Sequence, residues 1–243
     1  MDSFFRFSDY DVFAYLAAGI AALLAWDYTF GSHWIIGANW SAASGTTIVL
    51  VAYIVGHIVA WPASWLLERC VVRCVLGPPS RALLGEPPPG RFATIKQALF
   101  PDYFTPLDRP LAERVRFRAA REGQPGLSGQ SLFWTAFAHS KHDVSTYSRM
   151  TQFLKLYGFC RNIAFVGVTA AIMIATGALW RAANTSFSTD VGSRLLWAAL
   201  VCVAGVAMFY RYLKFHRLYT VEVFVGYANI SAERQASHEG ARP

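Results

Sequence analysis

The chain has 243 residues, of which 54% are hydrophobic and only 15% charged, with a formal net charge of +7 and a mean hydropathy of +0.31. Ordinary soluble domains carry about 25% charged residues, and a content of 18 Phe, 11 Tyr and 8 Trp excludes intrinsic disorder, a disulfide-stapled mini-protein and a collagen-like chain. The composition is that of a membrane protein.

A helix needs about 20 apolar residues to cross the hydrocarbon, and four stretches meet that requirement. The first covers 12–30 and is interrupted only by Asp27; the second covers 46–67; the third, 162–180, holds no charge; the fourth, 195–213, stays apolar to Phe209 before meeting Arg211. Residues ahead of the first span, with Asp2, Asp9 and Asp11 against Arg6, are net acidic, and no small-x-small site closes it before Trp26. It therefore reads as a retained anchor and not as a signal peptide. Arg211 should snorkel to the interface among Tyr210, Tyr212, Phe215 and Tyr219.

Residues 68–161 hold 14 Lys/Arg and 7 Asp/Glu, whereas the rest of the chain has 8 of each, so the whole charge excess lies in this segment. Positively charged loops stay cytoplasmic, which places this segment and both termini in the cytoplasm of an inner or plasma membrane. Its surplus is either that rule at work or an anion-binding surface for the leaflet, a nucleotide or a nucleic acid.

Nine of the 11 prolines fall between Pro78 and Pro125, so this stretch is a folded-back connector of short pieces. One piece is a helix capped by Asp108 and running to about Glu122, with Arg114, Arg118 and Arg121 on one face and Leu111 and Val115 on another. From Ser131, apolar residues at three- and four-residue steps predict a single helix to Trp180, half outside the membrane. The fourth span should likewise continue from Tyr212 to about Tyr227 before a mobile tail, 231–243. The expected architecture is thus an all-α polytopic membrane protein. It has a hairpin in 1–67, a basic Pro-rich cytoplasmic domain in 68–161, and a second hairpin in 162–230 whose two helices project into the cytoplasm.

His57 sits mid-span, where a polar ring is costly unless it faces protein or water, with Trp61 and the helix-kinking Pro62 one turn on. These three, with Arg161 and Asn162 at the start of the third span, are the candidate pore or gate residues. Partners available to Arg161 are Glu222 and headgroup phosphates. Arg149 and Lys155, together with Arg211, Lys214 and Arg217, extend the candidate anion-binding set of Arg114, Arg118 and Arg121, and rings of basic side chains favour anions in a pore.

Cys70-x-x-x-Cys74 and His139-x-x-His142 offer four zinc-compatible ligands, although the pairs are far apart and His139 has Asp143 one turn away as another partner. The run from His139 to Asp143 resembles one histidine box of the membrane desaturases and hydroxylases, which gather several such clusters around two irons; this chain has one. Gly126-Leu-Ser128-Gly129 resembles the Gly-x-Ser-Gly pattern of rhomboid proteases, but in a Gly/Pro loop Ser128 fits a helix cap. No Walker loop, dinucleotide fingerprint or paired intramembrane carboxylates occur, and no cofactor is implied. Small residues every fourth position, Gly167, Ala171 and Ala175 in the third span and Ala17/Ala18 and Ala21/Ala22 in the first, suit close helix contacts. Four spans leave little room for a path inside one subunit. The expectation is a homo-oligomeric ion channel or pore-type effector gated by an anionic ligand or partner. A metal-dependent membrane enzyme and a membrane anchor for soluble partners remain the alternatives.

Overall fold

The structure, a computed structural model, describes residues 9–36, 41–88, 90–184 and 190–239. Every regular element among them is helical. Helix α1 spans Asp9–Phe30 and α2 spans Ala42–Ser64, continuing in a wider π-type winding through Trp65–Leu76. Short helices α3 (Pro79–Leu83), α4 (Ala93–Leu99) and α5 (Pro101–Phe104) follow, then α6 (Arg109–Arg121), α7 (Gly129–Ser140), α8 (Val144–Asn184) and α9 (Val191–Glu239). Three helical runs, Ala42–Leu83, Val144–Asn184 and Val191–Asn229, are long and apolar enough to cross a membrane; α1 contributes a shorter apolar stretch, Ala14–Phe30.

The chain divides into two compact units, Met1–Glu68 with Tyr157–Tyr212, and Arg69–Leu156 with Leu213–Pro243. In the first, the interior is built from small residues: Ala18, Ala52, Ala63 and Ala178 are fully buried, while Ile58, Trp61, Ile172, Leu196 and Val203 are exposed. A water-soluble bundle places its large apolar residues inside. The reverse order suits a hydrocarbon solvent, where burying Leu from lipid gains little and close backbone approach gains dispersion.

The closest approaches are glycine crossings. A Cβ on Gly19 would lie 1.7 Å from the Ala52 carbonyl oxygen, and one on Gly56 would lie 1.9 Å from that of Tyr15, so α1 and α2 touch backbone to backbone. On the α8–α9 side, a Cβ on Gly167 would lie 2.7 Å from the Gly205 Cα. Gly167 is the small residue expected there. In α1 the critical position is Gly19 beside the buried Ala18, not the Ala21/Ala22 pair.

Exposed threonines on these helices return their hydroxyls to their own ladder: Thr46 to Ala42, Thr47 to Ala43, Thr169 to Phe165 and Thr176 to Ile172, at 2.8–3.0 Å. That satisfies polar groups that hydrocarbon would leave unpaired. At the end of α1 the buried Asp27 carboxylate accepts from Ser32 Oγ (2.5 Å) and from the N–H groups of Trp34 (2.9 Å), Ile35 (3.2 Å) and Ile36 (2.8 Å), fastening the following turn. Arg181 donates to the Thr29 carbonyl (2.7 Å) and Arg194 to that of Tyr28 (3.2 Å), so the two arginines of the 181–194 connection close the end of α1.

The second unit follows the ordinary rule for a core in water. Leu83, Val115, Leu132, Ala136, Met150, Val223, Phe224 and Tyr227 are buried together, with Leu107, Leu111, Phe133 and Phe137 packed around them. Gly129 lets α7 meet α3, since a Cβ there would lie 2.8 Å from the Arg81 Cα, and Glu86 accepts from the Gly129 N–H at 2.7 Å. As expected, α6 is helical over Arg109–Arg121 and buries Val115. Asp108 stands at its N-cap position but makes no side-chain cap bond.

Two expected boundaries are corrected. The helix drawn from Ser131 to Trp180 breaks at Lys141–Asp143, because the Asp143 carboxylate accepts from the Thr146 N–H (2.9 Å) and the Ser145 hydroxyl (2.8 Å) and so starts a new helix. The second lies in the segment expected to be a tail: α9 continues through it to Glu239, since Ala232-Glu-Arg-Gln-Ala are good helix formers and no Gly or Pro falls between Tyr227 and Glu239. Residues 240–243 lie outside the described residues. Pro62 lies within α2 and does not end it; the winding widens three residues later, where the Gly77 N–H reaches Val72, five back, at 2.7 Å.

Candidate functional site

Four polar side chains of the first unit, Tyr157, Arg161, Asn162 and Tyr212, gather around Glu68. It is the one acidic residue between Asp27 and Glu86, and it falls where the apolar run of α2 ends. Its Oε1 accepts from both the Tyr157 hydroxyl and the Arg161 guanidinium. Arg161 also donates through Nε and Nη2 to the Asn162 side-chain oxygen, at 3.2 and 3.1 Å, and lies over the Tyr157 ring at 5.7 Å. Tyr157 and Tyr212 rings are 5.1 Å apart. Only 13% of the Arg161 side chain and 26% of the Glu68 side chain is exposed, and Asn162 and Tyr212 are buried. A guanidinium held this far from water is stable only with its counter-charge in place.

The arrangement corrects the expected partner of Arg161. Glu222 instead pairs with Arg149 at 2.6 Å in the second unit. Glu68 is legible only in retrospect, as an isolated acid at the end of an apolar run.

His57 does not join this cluster. Its ring stacks on Tyr15 (4.0 Å, 29°) and meets Tyr53 edge-on (4.4 Å), with Nδ1 3.1 Å from the Tyr53 carbonyl oxygen, and the residue is exposed. Trp61 is 75% exposed and Pro62 partly buried. The five candidate pore residues therefore divide into an inward set, Arg161 and Asn162, an outward set on α2, His57 and Trp61, and the half-buried Pro62.

The basic set is similarly divided. Arg211 belongs to the first unit and the other seven to the second. Arg118 is committed internally: it donates to Glu122 (2.9 Å) and to the Tyr227 carbonyl, and lies 4.3 Å over the Tyr227 ring. It does not complete an open face with Arg114 and Arg121, which remain exposed, Arg121 lying 6.0 Å over the Phe117 ring. The guanidinium turns inward because a buried tyrosine, a carboxylate and a backbone carbonyl are all within its reach. Arg217 donates to the Thr105 carbonyl (3.0 Å), Lys155 is half-buried, and Arg211 and Lys214 are exposed.

Glu122 gathers its own group. It accepts from the Tyr227 hydroxyl (2.7 Å) and Arg118, and His139 Nε2 lies 3.8 Å away. Burial alone would raise its carboxyl, but the Tyr227 hydroxyl, Arg118 and His139 outweigh it and hold the carboxyl below the ordinary range. His139 Nδ1 sits 2.9 Å from the Thr135 carbonyl oxygen, leaving Asp143 to its capping role. Among the described residues no three His, Cys, Asp or Glu side chains gather as a metal site requires, so Cys70, Cys74, His139 and His142 do not form a four-ligand set. The Ser128 hydroxyl accepts from the Ser131 N–H at 3.5 Å and caps α7, the role expected of it.

No family model, curated protein or solved structure matches this chain.

Proposed function

We propose that the chain is a four-span protein of an inner or plasma membrane that assembles into a homo-oligomeric ion channel or pore-type effector. In this reading α1 completes the spans, both termini and residues 68–161 are cytoplasmic, and an anionic ligand or partner at the basic segment gates the pore.

One observation carries it: His57 is exposed on the outer face of an apolar helix, among the exposed Ile54, Ile58 and Trp61. A polar ring at that depth is costly against lipid and becomes acceptable against protein or water. Tyr15 and Tyr53 cover part of it; a neighbouring subunit, or a water path between subunits, covers the rest. Closed rings are the usual solution for identical subunits. The Glu68–Arg161 pair then serves as a latch that holds α8 against the end of α2.

The test is reconstitution of the purified chain in liposomes, with potassium and chloride flux measured alone and with ATP or a short oligonucleotide. Flux that His57→Phe alters, from a particle of three or more copies by native mass spectrometry, supports the proposal. A monomeric particle without flux under every condition overturns it.

A further inference from the structure

Helix α6 carries five arginines, and three of them are engaged within the second unit. Arg109 pairs with Glu113 and Arg118 with Glu122, each at 2.9 Å, while Arg116 donates to the Leu84 carbonyl at 2.7 Å. Other acids of the unit are taken as well: Glu86 pairs with Arg81, Glu222 with Arg149, and Asp143 caps α8. Arg114 and Arg121 are left exposed, and neither pairs with an acid among the described residues. Arg114 Nε reaches only the Pro110 carbonyl of its own helix, at 3.4 Å.

Between these two charges stands Phe117, 67% exposed, with the Arg121 guanidinium carbon 6.0 Å from its ring centre. Steps of three and four put Arg114, Phe117 and Arg121 on one stripe of α6, opposite the buried Val115 and Ala119. Seven residues of helix separate the two arginines by about 10 Å along the axis. No second large apolar side chain of α6 is exposed.

That composition selects among anionic occupants. Insertion into a leaflet needs a continuous apolar face, whereas α6 offers one ring between charges. An acidic peptide would meet the guanidiniums and leave the ring in water. An unpaired nucleic-acid strand brings an anion and a flat π face with every nucleotide, and strand-binding proteins meet it with basic groups along the backbone and aromatic rings against the bases.

We propose that this face of α6 binds single-stranded nucleic acid, with a base stacked on Phe117 and flanking phosphates on Arg114 and Arg121. The proposal names the anionic ligand of the basic segment and rests on that part of the reading above; it does not need a pore.

The experiment titrates the full chain, in mild detergent, into a short fluorescein-labelled oligothymidylate and follows anisotropy over a series of potassium chloride concentrations. Phe117→Leu should weaken binding about tenfold and leave the salt dependence unchanged, since stacking releases no counterions. Arg114→Gln and Arg121→Gln should each lower the slope of log affinity against log salt by about 0.7. Arg73→Gln, which removes an exposed arginine outside α6, should change neither, and unlabelled polyglutamate should displace the strand poorly. Equal midpoints of thermal unfolding, by tryptophan fluorescence, show that the variants keep the fold. Absence of binding at low salt overturns the proposal. Full affinity in Phe117→Leu, or equal displacement by polyglutamate, overturns it in favour of an acidic partner, and an equal loss of slope in Arg73→Gln overturns it in favour of diffuse charge. Flux enters none of these outcomes, so a chain that binds the strand without conducting defeats the channel reading alone, and one that conducts without binding defeats this proposal alone.

Discussion

Removing Glu68 should cost more than any ordinary surface substitution in this protein. In Glu68→Leu the Arg161 guanidinium, 13% exposed, loses its counter-charge and keeps Asn162 and the face of the Tyr157 ring, while the Tyr157 hydroxyl loses Glu68 as an acceptor. Stranding one member of a buried pair costs about 3–5 kcal/mol, and the 26% exposure of Glu68 places this case at the lower end, about 3 kcal/mol. At roughly 2–4 °C per kcal/mol for a chain of this size, the midpoint of thermal unfolding, followed by tryptophan fluorescence in mild detergent, should fall by about 6–12 °C. Arg161→Met should fall less, because the carboxylate it strands can protonate. The double variant Glu68→Leu, Arg161→Met should recover about 2 kcal/mol relative to the sum of the single effects, since an apolar replacement of both partners leaves no unpaired charge. Strictly additive losses would refute the claim that these two residues act as one unit.

Two further outcomes test other parts of the fold. Gly56→Ala places a methyl 1.9 Å from the Tyr15 carbonyl oxygen and should destabilise by about 3 kcal/mol or more, because backbone must move; Gly158→Ala, with open space around it, should instead gain about 0.5–1 kcal/mol, and a comparison of the two midpoints in detergent checks both. Asp143 is held at about 2, below its ordinary 3.8, chiefly by its bonds to Thr146, so its contribution is fully present above pH 3.8 and lost as pH falls through about 2. The Thr146 amide resonance should report that midpoint and lose it in Asp143→Asn; a midpoint near 3.8 would show that the cap does not form.

How much of this was legible in the linear chain depends on the range of the interaction. Helical elements around the three long apolar runs follow from twenty-residue windows of hydropathy, which need no tertiary information. Helix α6 was visible in its Arg spacing and its Leu111/Val115 face, and Ser128 in the turn chemistry around it. The break at Asp143 was missed because a capping side chain competes with helix periodicity over three residues, a signal shorter than the apolar pattern that hides it. Arg161 was visibly in need of a counter-charge, yet Glu222 and Glu68 are equally isolated acids in sequence. Only the approach of the Trp65–Leu76 winding to α8, which brings Glu68 onto Tyr157 and Arg161, selects Glu68.

By itself, therefore, the sequence determined the solvent of each part: a hydrocarbon-compatible set of helices with small residues at repeating positions, and a basic, proline-punctuated segment that cannot be one helix. Tertiary structure decided which charges face one another, that Arg118 is consumed by Tyr227 and Glu122, that His57 stands outward, and that α4 presents Phe92, Ile95 and Leu99 on its surface. The physical reason is one of range. Hydropathy and helix periodicity are properties of consecutive residues, whereas the partner of a charge is set by which backbones come close enough to touch, and here that is governed by glycines such as Gly19, Gly56, Gly167 and Gly205 whose effect appears only when another helix lies against them.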